Sequence, residues 1–349
     1  MKWQLFPATD LTLHSEVWDC LNQRGPNTPL LDSRFIMPLI QHFGVGHELL
    51  AILGEHDDPD AMLIIGRDRF GVWSTFQPAQ APLGLWLNKV DNSLDELFSS
   101  LAKCLPKYTL LMGITHQDPY IYPRPKDSDY LSTIDYIQTA YVNIDQSFED
   151  YWQSRGKNLR HNLKRQRNRL EREGIKPRIE VLTNPDDMHR AVRQYGELEA
   201  SGWKQDIGTA IHIDNIQGKF YVDLLSAFAM TGQAFVYRYF YNDRLVACDL
   251  CLFGDAILVI LKTTYDETIE GSSPTMLMRE EMFRAIFEEQ TIQRIEFYGK
   301  LMDWHTKWTD SIRQMYHINY IPWKIVKMAR GLLSKEKYLV LVGFIKRLT

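Results

Sequence analysis

The chain has 349 residues, enough for two domains of ordinary size, and its 45% hydrophobic and 24% charged residues exclude a collagen-like, disordered or low-complexity chain. The formal net charge is only −4, yet residues 154–174 carry eight Lys/Arg against two Glu, and residues 323–349 carry seven against one. An acidic body therefore bears two basic segments. Four cysteines exclude a disulfide framework, and the absence of any run of about 18 apolar residues excludes a spanning helix.

The opening MKWQLFPATDLTLHSEVWD lacks the apolar stretch and small-residue site of a signal peptide, so a cytoplasmic location is expected. Residues 30–43 have a helical pattern, and MLIIGRDRFGVWSTF reads as a hairpin around Arg67–Arg69. Ser93 is placed to cap a helix on which Leu94, Leu97, Phe98 and Leu101 recur at helical spacing. YTLLMGI reads as a short buried strand. The three prolines of DPYIYPRPKDSD forbid a regular element, and YIQTAYVNI is the strand that follows. A domain boundary near Asp145 gives lobes of 1–145 and 146–322, with a tail at 323–349.

In SRGKNLRHNLKRQRNRLEREG, Leu159, Leu163 and Leu170 fall on one narrow helical stripe, and Gly174 is a natural stop. The charges cover the other faces. They read either as a solvated surface or as a landing surface for a polyanion: a phosphate-rich cofactor, an acidic membrane or RNA. No RNA-binding motif accompanies them, so nucleic acid ranks third.

RIEVL is a strand, and Asn184-Pro185 starts the next helix, which ends in ELEASGWK. A helix over about 217–230 follows. AFVYRYFYNDRLVACDLCLFGDAILVILKTTYD holds three β-rich runs, with Asn242-Asp243 and Gly254-Asp255 suited to two-residue turns. The lone Cys248-x-x-Cys251 lies on an apolar strand, where core packing is the ordinary reading, and no metal is expected. Ser273-Pro274 opens a helix, RIEFYG is a strand, residues 304–309 a short helix and residues 315–321 a last strand.

This order of elements resembles the GNAT acyltransferase superfamily, and within it the two-lobed branch of CelD-type acetyltransferases and FemAB-like peptidoglycan aminoacyltransferases. The resemblance rests on the basic KNLRHNLKRQRNRLEREG helix, Gly202-Trp203-Lys204, Tyr265-Asp266, the Ser273-Pro274 helix start and Gly299…Lys307-Trp308. It covers about residues 145–322; the first half matches only in plan, as a degenerate GNAT-like lobe.

The implied fold is α/β (α+β): tandem GNAT-like lobes, each a mixed, largely antiparallel sheet flanked by helices. The implied function is transfer from acetyl-CoA or another acyl-CoA to an amine (or hydroxyl) of an amino sugar or related surface-polysaccharide precursor, free or lipid-linked. The resemblance places the CoA pyrophosphate at a helix start, here Gly271, Ser272, Ser273 and Thr275. A helix N-terminus is an anion site on physical grounds as well. The superfamily's Arg/Gln-x-x-Gly-x-Gly/Ala loop is absent, however, and Glu270 opposes phosphate. An ordinary capped helix is the alternative for this segment. Aminoacyl-tRNA is the alternative donor, and a non-catalytic partner in polysaccharide assembly the alternative role.

Lys307 matches the position where FemAB-like enzymes hold a lysine near the transferred carbonyl, with His305 and Tyr298 as expected neighbours; a surface lysine is the alternative. Turn-register arithmetic places Asp249 on one sheet face with Arg238 and Lys262. In that register Asp249 is the candidate general base, Arg238 and Lys262 hold substrate oxygens, and Trp203 and Lys204 line the cleft between the lobes. A structural ion pair is the plainer reading. The tail intersperses Lys/Arg with Ile325, Val326, Leu332, Leu333, Leu339 and Phe344. It reads as a terminal helix or as a peripheral anchor on an anionic inner membrane face.

Overall fold

A computed structural model describes residues 2–89, 93–106, 108–200 and 211–322. The chain divides into two compact units, one of residues 1–137 together with those from 314 onward, the other of residues 138–313. Trp203, Lys204 and the 323–349 tail lie outside the described residues.

Unit one runs β1 (Trp3–Pro7), α1 (Leu11–Arg24), α2 (Ser33–Phe43), β2 (Leu49–Gly54), β3 (Pro59–Arg69), β4 (Val72–Thr75), β5 (Trp86–Asn88), α3 (Leu94–Cys104) and β6 (Leu111–Gln117). β1 to β4 pair antiparallel in sequence order, β5 pairs with β3, and β4 lies parallel to β6. The anticipated apolar face of α3 is realised: Leu97, Phe98 and Leu101 are buried against Trp3, Trp86 and Ile114. The hairpin turns at Phe70-Gly71, just past Arg67–Arg69.

Unit two repeats this plan. After the end of β7 (Leu131–Asn143) come α4 (Phe148–Ser154), α5 (Lys157–Arg172), β8 (Pro177–Leu182), α6 (Pro185–Ala200), α7 (Ile216–Ala229), β9 (Ala234–Tyr241), β10 (Arg244–Gly254), β11 (Ile257–Tyr265), α8 (Pro274–Glu289) and β12 (Arg294–Glu296). β8 to β11 pair antiparallel in sequence order, and β11 lies parallel to β12. From β8 to β12 the order is strand, two helices, three strands, helix, parallel strand, which is that of β1 to β6 apart from β5; α4 and α5 precede it. The short α9 (Asp303–Thr306) and β13 (Ile312–Tyr320) complete the described chain.

The closing strands are exchanged between the halves. β7 follows β6, yet its end pairs with β12 in unit two; β13 follows α9, yet pairs with β6 in unit one. The unit limits differ for this reason from the anticipated 1–145 and 146–322.

In unit two α8 packs on one sheet face with α4 and the leucine stripe of α5, burying Leu163, Leu170, Leu277, Phe283, Phe287 and Trp308. Each such large apolar side chain contributes on the order of 2–3 kcal/mol. α6 and α7 cover the opposite face with Met188, Val192, Phe220 and Phe228.

Candidate active site

β11 and β12 pair only where Ile257–Val259 faces Arg294–Glu296. β11 then continues to Tyr265, while the chain beyond β12 departs through Tyr298, whose φ of 48° turns it sharply. Two parallel strands that part in this way open a wedge in the sheet. A cleft of about 830 Å³ lies there, walled by Thr263 and Tyr265 of β11, by Ser272, Ser273, Thr275, Met276 and Arg279 around the start of α8, and by Trp304 and Lys307. Glu267 and Ile269 close its rim.

Ser273 is the N-cap residue and Pro274 the first residue of α8, as the sequence indicates. The Ser273 hydroxyl makes no capping bond; its backbone N–H instead donates to Oε1 of Gln166 (2.7 Å) on α5. Gln166 lies on the buried stripe between Leu163 and Leu170. The Ser272 hydroxyl shares a hydrogen bond with Tyr241 (2.9 Å). Gly271 has φ of 77°, and a Cβ there would collide with the Arg169 guanidinium. The left-handed backbone favours glycine, and any larger residue would also have to push the guanidinium aside. Arg169 is held by Glu173 at 2.6 Å, and the charge of Glu270 also acts on it.

The basic segment thus has a divided role. Arg167 pairs with Glu280 of α8 (2.6 Å), Arg155 with Asp310 (3.1 Å), and Arg169 braces the loop before α8. Lys157, Lys164 and Arg165 remain exposed.

The register expected around Asp249 is overturned. The second turn is Asp255-Ala256, both left-handed (φ 49° and 58°), rather than Gly254-Asp255. Val246 in β10 and Leu261 in β11 are bulged, each an extra residue with no partner across the strand pair. An odd shift inverts side-chain alternation. Asp249 therefore sits opposite Tyr237 and Thr263, whereas Arg238 sits opposite Cys248, and Lys262 opposite Leu250, on the other face. Cys248 and Cys251, both fully buried, likewise point to opposite faces, which removes any joint role.

Arg238 is a buried structural cation, donating to Glu180 (2.6 Å) and Gln194 (2.7 Å) beneath α6. Asp249 is fully buried and does not line the cleft; Arg279 covers it, with Nη2 3.4 Å from Oδ2 and 2.8 Å from the Thr263 hydroxyl. Burial pushes the Asp249 carboxyl upward, against the pull of Arg279. A carboxylate sealed behind an arginine is in no position to take a proton from a substrate, so the general-base assignment falls. Arg279 itself, unanticipated, faces the cleft beneath the Trp304 ring (4.4 Å to the centroid).

Lys307 lines the cleft and makes no hydrogen bond or ion pair with the described residues. Its expected neighbours are placed otherwise. His305 is buried, stacks on Trp304 (centroids 3.5 Å apart), and its Nδ1 accepts the Met302 N–H at 2.9 Å. Burial drops its pKa to about 4, which keeps the ring neutral. Tyr298 packs under Arg313 (5.1 Å) rather than in the cleft.

Comparison with solved structures places the fold among known proteins. FemX aligns with a TM-score of 0.55 at 11% identity, covering 92% of this chain and 97% of its own. The C-terminal domain of a putative lysylphosphatidylglycerol synthetase from Agrobacterium fabrum aligns with a TM-score of 0.55 at 9% identity, covering 88% and 92%. A conserved Bacteroides thetaiotaomicron protein of unknown function gives 0.55 at 9%, covering 91% and 99%. At such identities the likeness is one of fold. No curated protein sequence matches the chain. Residues 157–306, all within unit two and spanning α5 to α9, match the family model of the acetyltransferase (GNAT) domain.

Proposed function

We propose that unit two is an acyltransferase whose donor is an acyl-CoA thioester and whose acceptor is the amine of an amino sugar or related surface-polysaccharide precursor. The observation that carries this reading is the wedge between β11 and β12, with the start of α8 on one side and the unpartnered Lys307 on the other. The matched GNAT domain supports transferase chemistry of this type. An extended thioester arm fits an opening between parted strands, where β11 runs on past the end of its pairing with β12.

The residues present suit the phosphate end of such a donor. Hydroxyls of Ser272, Ser273 and Thr275 line the cleft at the positive end of α8. Arg169 from the basic helix stands beside Gly271 and, though paired with Glu173, offsets part of the charge of Glu270. The positive segment of the sequence is thus tied to the donor site.

In the transfer the amine nitrogen attacks the thioester carbonyl; the C–N bond forms, the C–S bond breaks, and the leaving thiolate takes up the proton that the amine sheds. Negative charge gathers on the carbonyl oxygen midway. The Lys307 ammonium, uncompensated by any carboxylate among the described residues, is the group poised to stabilise it. Arg279 backs this wall, held by Asp249 and Thr263. Replacing Lys307 with Met tests the assignment: kcat is expected to drop roughly 10²–10³-fold, the usual weight of one oxyanion donor, while acetyl-CoA binding changes less than threefold. Unchanged turnover in a folded variant refutes it.

The exposed Lys157, Lys164 and Arg165 favour a second reading, in which the donor is an aminoacyl-tRNA whose backbone lies along α5. Saturable tRNA binding with no acetyl-CoA binding selects that reading.

A further inference from the structure

A second chamber of about 320 Å³ adjoins the first and meets it at Ser273, Met276 and Lys307. Its remaining wall is the N-terminal half of α5. Asn158, Asn162 and Gln166 lie at i, i+4 and i+8, one above another on the same helix face, and all three line it. Leu159 and Leu163 supply an apolar flank.

We propose that this chamber is the acceptor subsite and that it takes one uncharged, hydroxyl-rich ring whose amine reaches the junction at Lys307. The proposal rests on the acyl-CoA reading of the neighbouring cleft and adds the acceptor's place and class. Lys307 is the one charged residue among the described residues that lines the chamber, so with that ammonium turned to the transferred carbonyl an acceptor's own charges find no partner there. Asn162 Oδ1 accepts from Arg165 (2.9 Å), which leaves its NH2 and the Asn158 amide to meet adjacent hydroxyl groups, and an aliphatic flank suits the C–H face of a ring.

Gln166 fixes the polarity of this wall. It is only 5% exposed, and its Oε1 is committed to the Ser273 N–H, a bond that demands the oxygen rather than the NH2. Its NH2 therefore has no partner among the described residues and is left to donate. The volume fits a single ring. The two chambers share Ser273, Met276 and Lys307 as wall, so donor and acceptor would bind side by side with Lys307 between them.

The test uses the full chain and its Asn158→Leu and Asn162→Leu variants, both altered at positions where folding is not at stake. Calorimetry measures acetyl-CoA affinity, and thiol release measures turnover with D-glucosamine as the probe. The wild type is expected to release thiol in a glucosamine-dependent manner. Each variant should raise the glucosamine KM at least tenfold while its acetyl-CoA Kd stays within twofold. An unchanged KM, an equal loss of acetyl-CoA affinity, or a wild type that binds acetyl-CoA yet ignores glucosamine overturns the proposal. A wild type that fails to bind acetyl-CoA overturns the donor reading instead. In that case saturation-transfer NMR decides the chamber. A glucosamine signal present with the wild type and abolished by both substitutions upholds it; a signal absent from the wild type or unchanged in the variants refutes it.

Discussion

Asp249 and Arg279 show how one residue's role depends on which way its strand alternates. Three charges on neighbouring strands look like a catalytic cluster while the strands are taken as regular, but bulges at Val246 and Leu261 send Asp249 to the α8 side and Arg238 and Lys262 to the other. What remains is a buried ion pair, 3.4 Å apart, at 0% and 2% side-chain exposure. Such a pair costs much to break and little to replace whole. Asp249→Leu and Arg279→Met are each expected to destabilise the protein by about 3 kcal/mol, and the double variant by clearly less than the sum. Urea unfolding of the four proteins measures the coupling, and strict additivity contradicts the pairing. The signal for Arg279 was present in the sequence: with Met282, Phe283 and Ile286 it completes an i, i+3, i+4, i+7 buried stripe, an odd place for a cation.

Two histidines of unit one give a pH dependence of known sign. The His116 backbone N–H donates to His317 Nδ1 at 2.9 Å, and Tyr136 stacks on His116 at 3.9 Å. Burial lowers both pKa values to about 4, and for His116 the nearby His317 adds to the effect. The unfolded chain takes up these protons near pH 6.5, before the folded one does. Their stabilisation is therefore complete above pH 6.5 and is lost as pH falls toward 4. The urea midpoint should drop between pH 7.5 and 4.5, and His317→Asn, which keeps an acceptor but no titration, should flatten the drop. An unaltered pH profile in that variant contradicts the assignment.

At the scale of elements, much was legible because it depends on local chemistry. The α5 leucines, the Asn242-Asp243 turn and the Ser273-Pro274 start appear where the sequence puts them. The wedge and the strand exchange were not legible, since both depend on which distant strand each edge meets. Nor did spacing reveal that α5 and α8 form one device through the Gln166 bond to Ser273, the Arg167 pair with Glu280 and the seat of Arg169 against Gly271. Gly271→Ala tests the last contact. The left-handed backbone alone should cost about 1 kcal/mol, with a further penalty from the displaced guanidinium. Adding Arg169→Ala should remove only the second part, as read from thermal midpoints. Identical stability of the single and double variants would deny the contact.

At the scale of the molecule, one plan of strand, paired helices, antiparallel strands and a parallel return is laid down twice, and the matched GNAT segment, 157–306, lies within unit two and contains the second copy. In the sequence only the order of weak motifs hinted at this, because the two copies share topology rather than residues. Among the described residues no helix is long and apolar enough to cross a membrane. The donor proposed for the wedge beside α8 is an acyl-CoA. Titration of the full chain with acetyl-CoA, by calorimetry and thermal unfolding together, tests it most directly. One molecule per chain should bind, and at a hundredfold excess over Kd the gain of about 2.7 kcal/mol should raise the unfolding midpoint by roughly 4–8 °C. Thr275→Glu, which sets a carboxylate at the start of α8, should abolish both effects. No binding by the wild type, or equal binding by the Thr275→Glu variant, would contradict the claim.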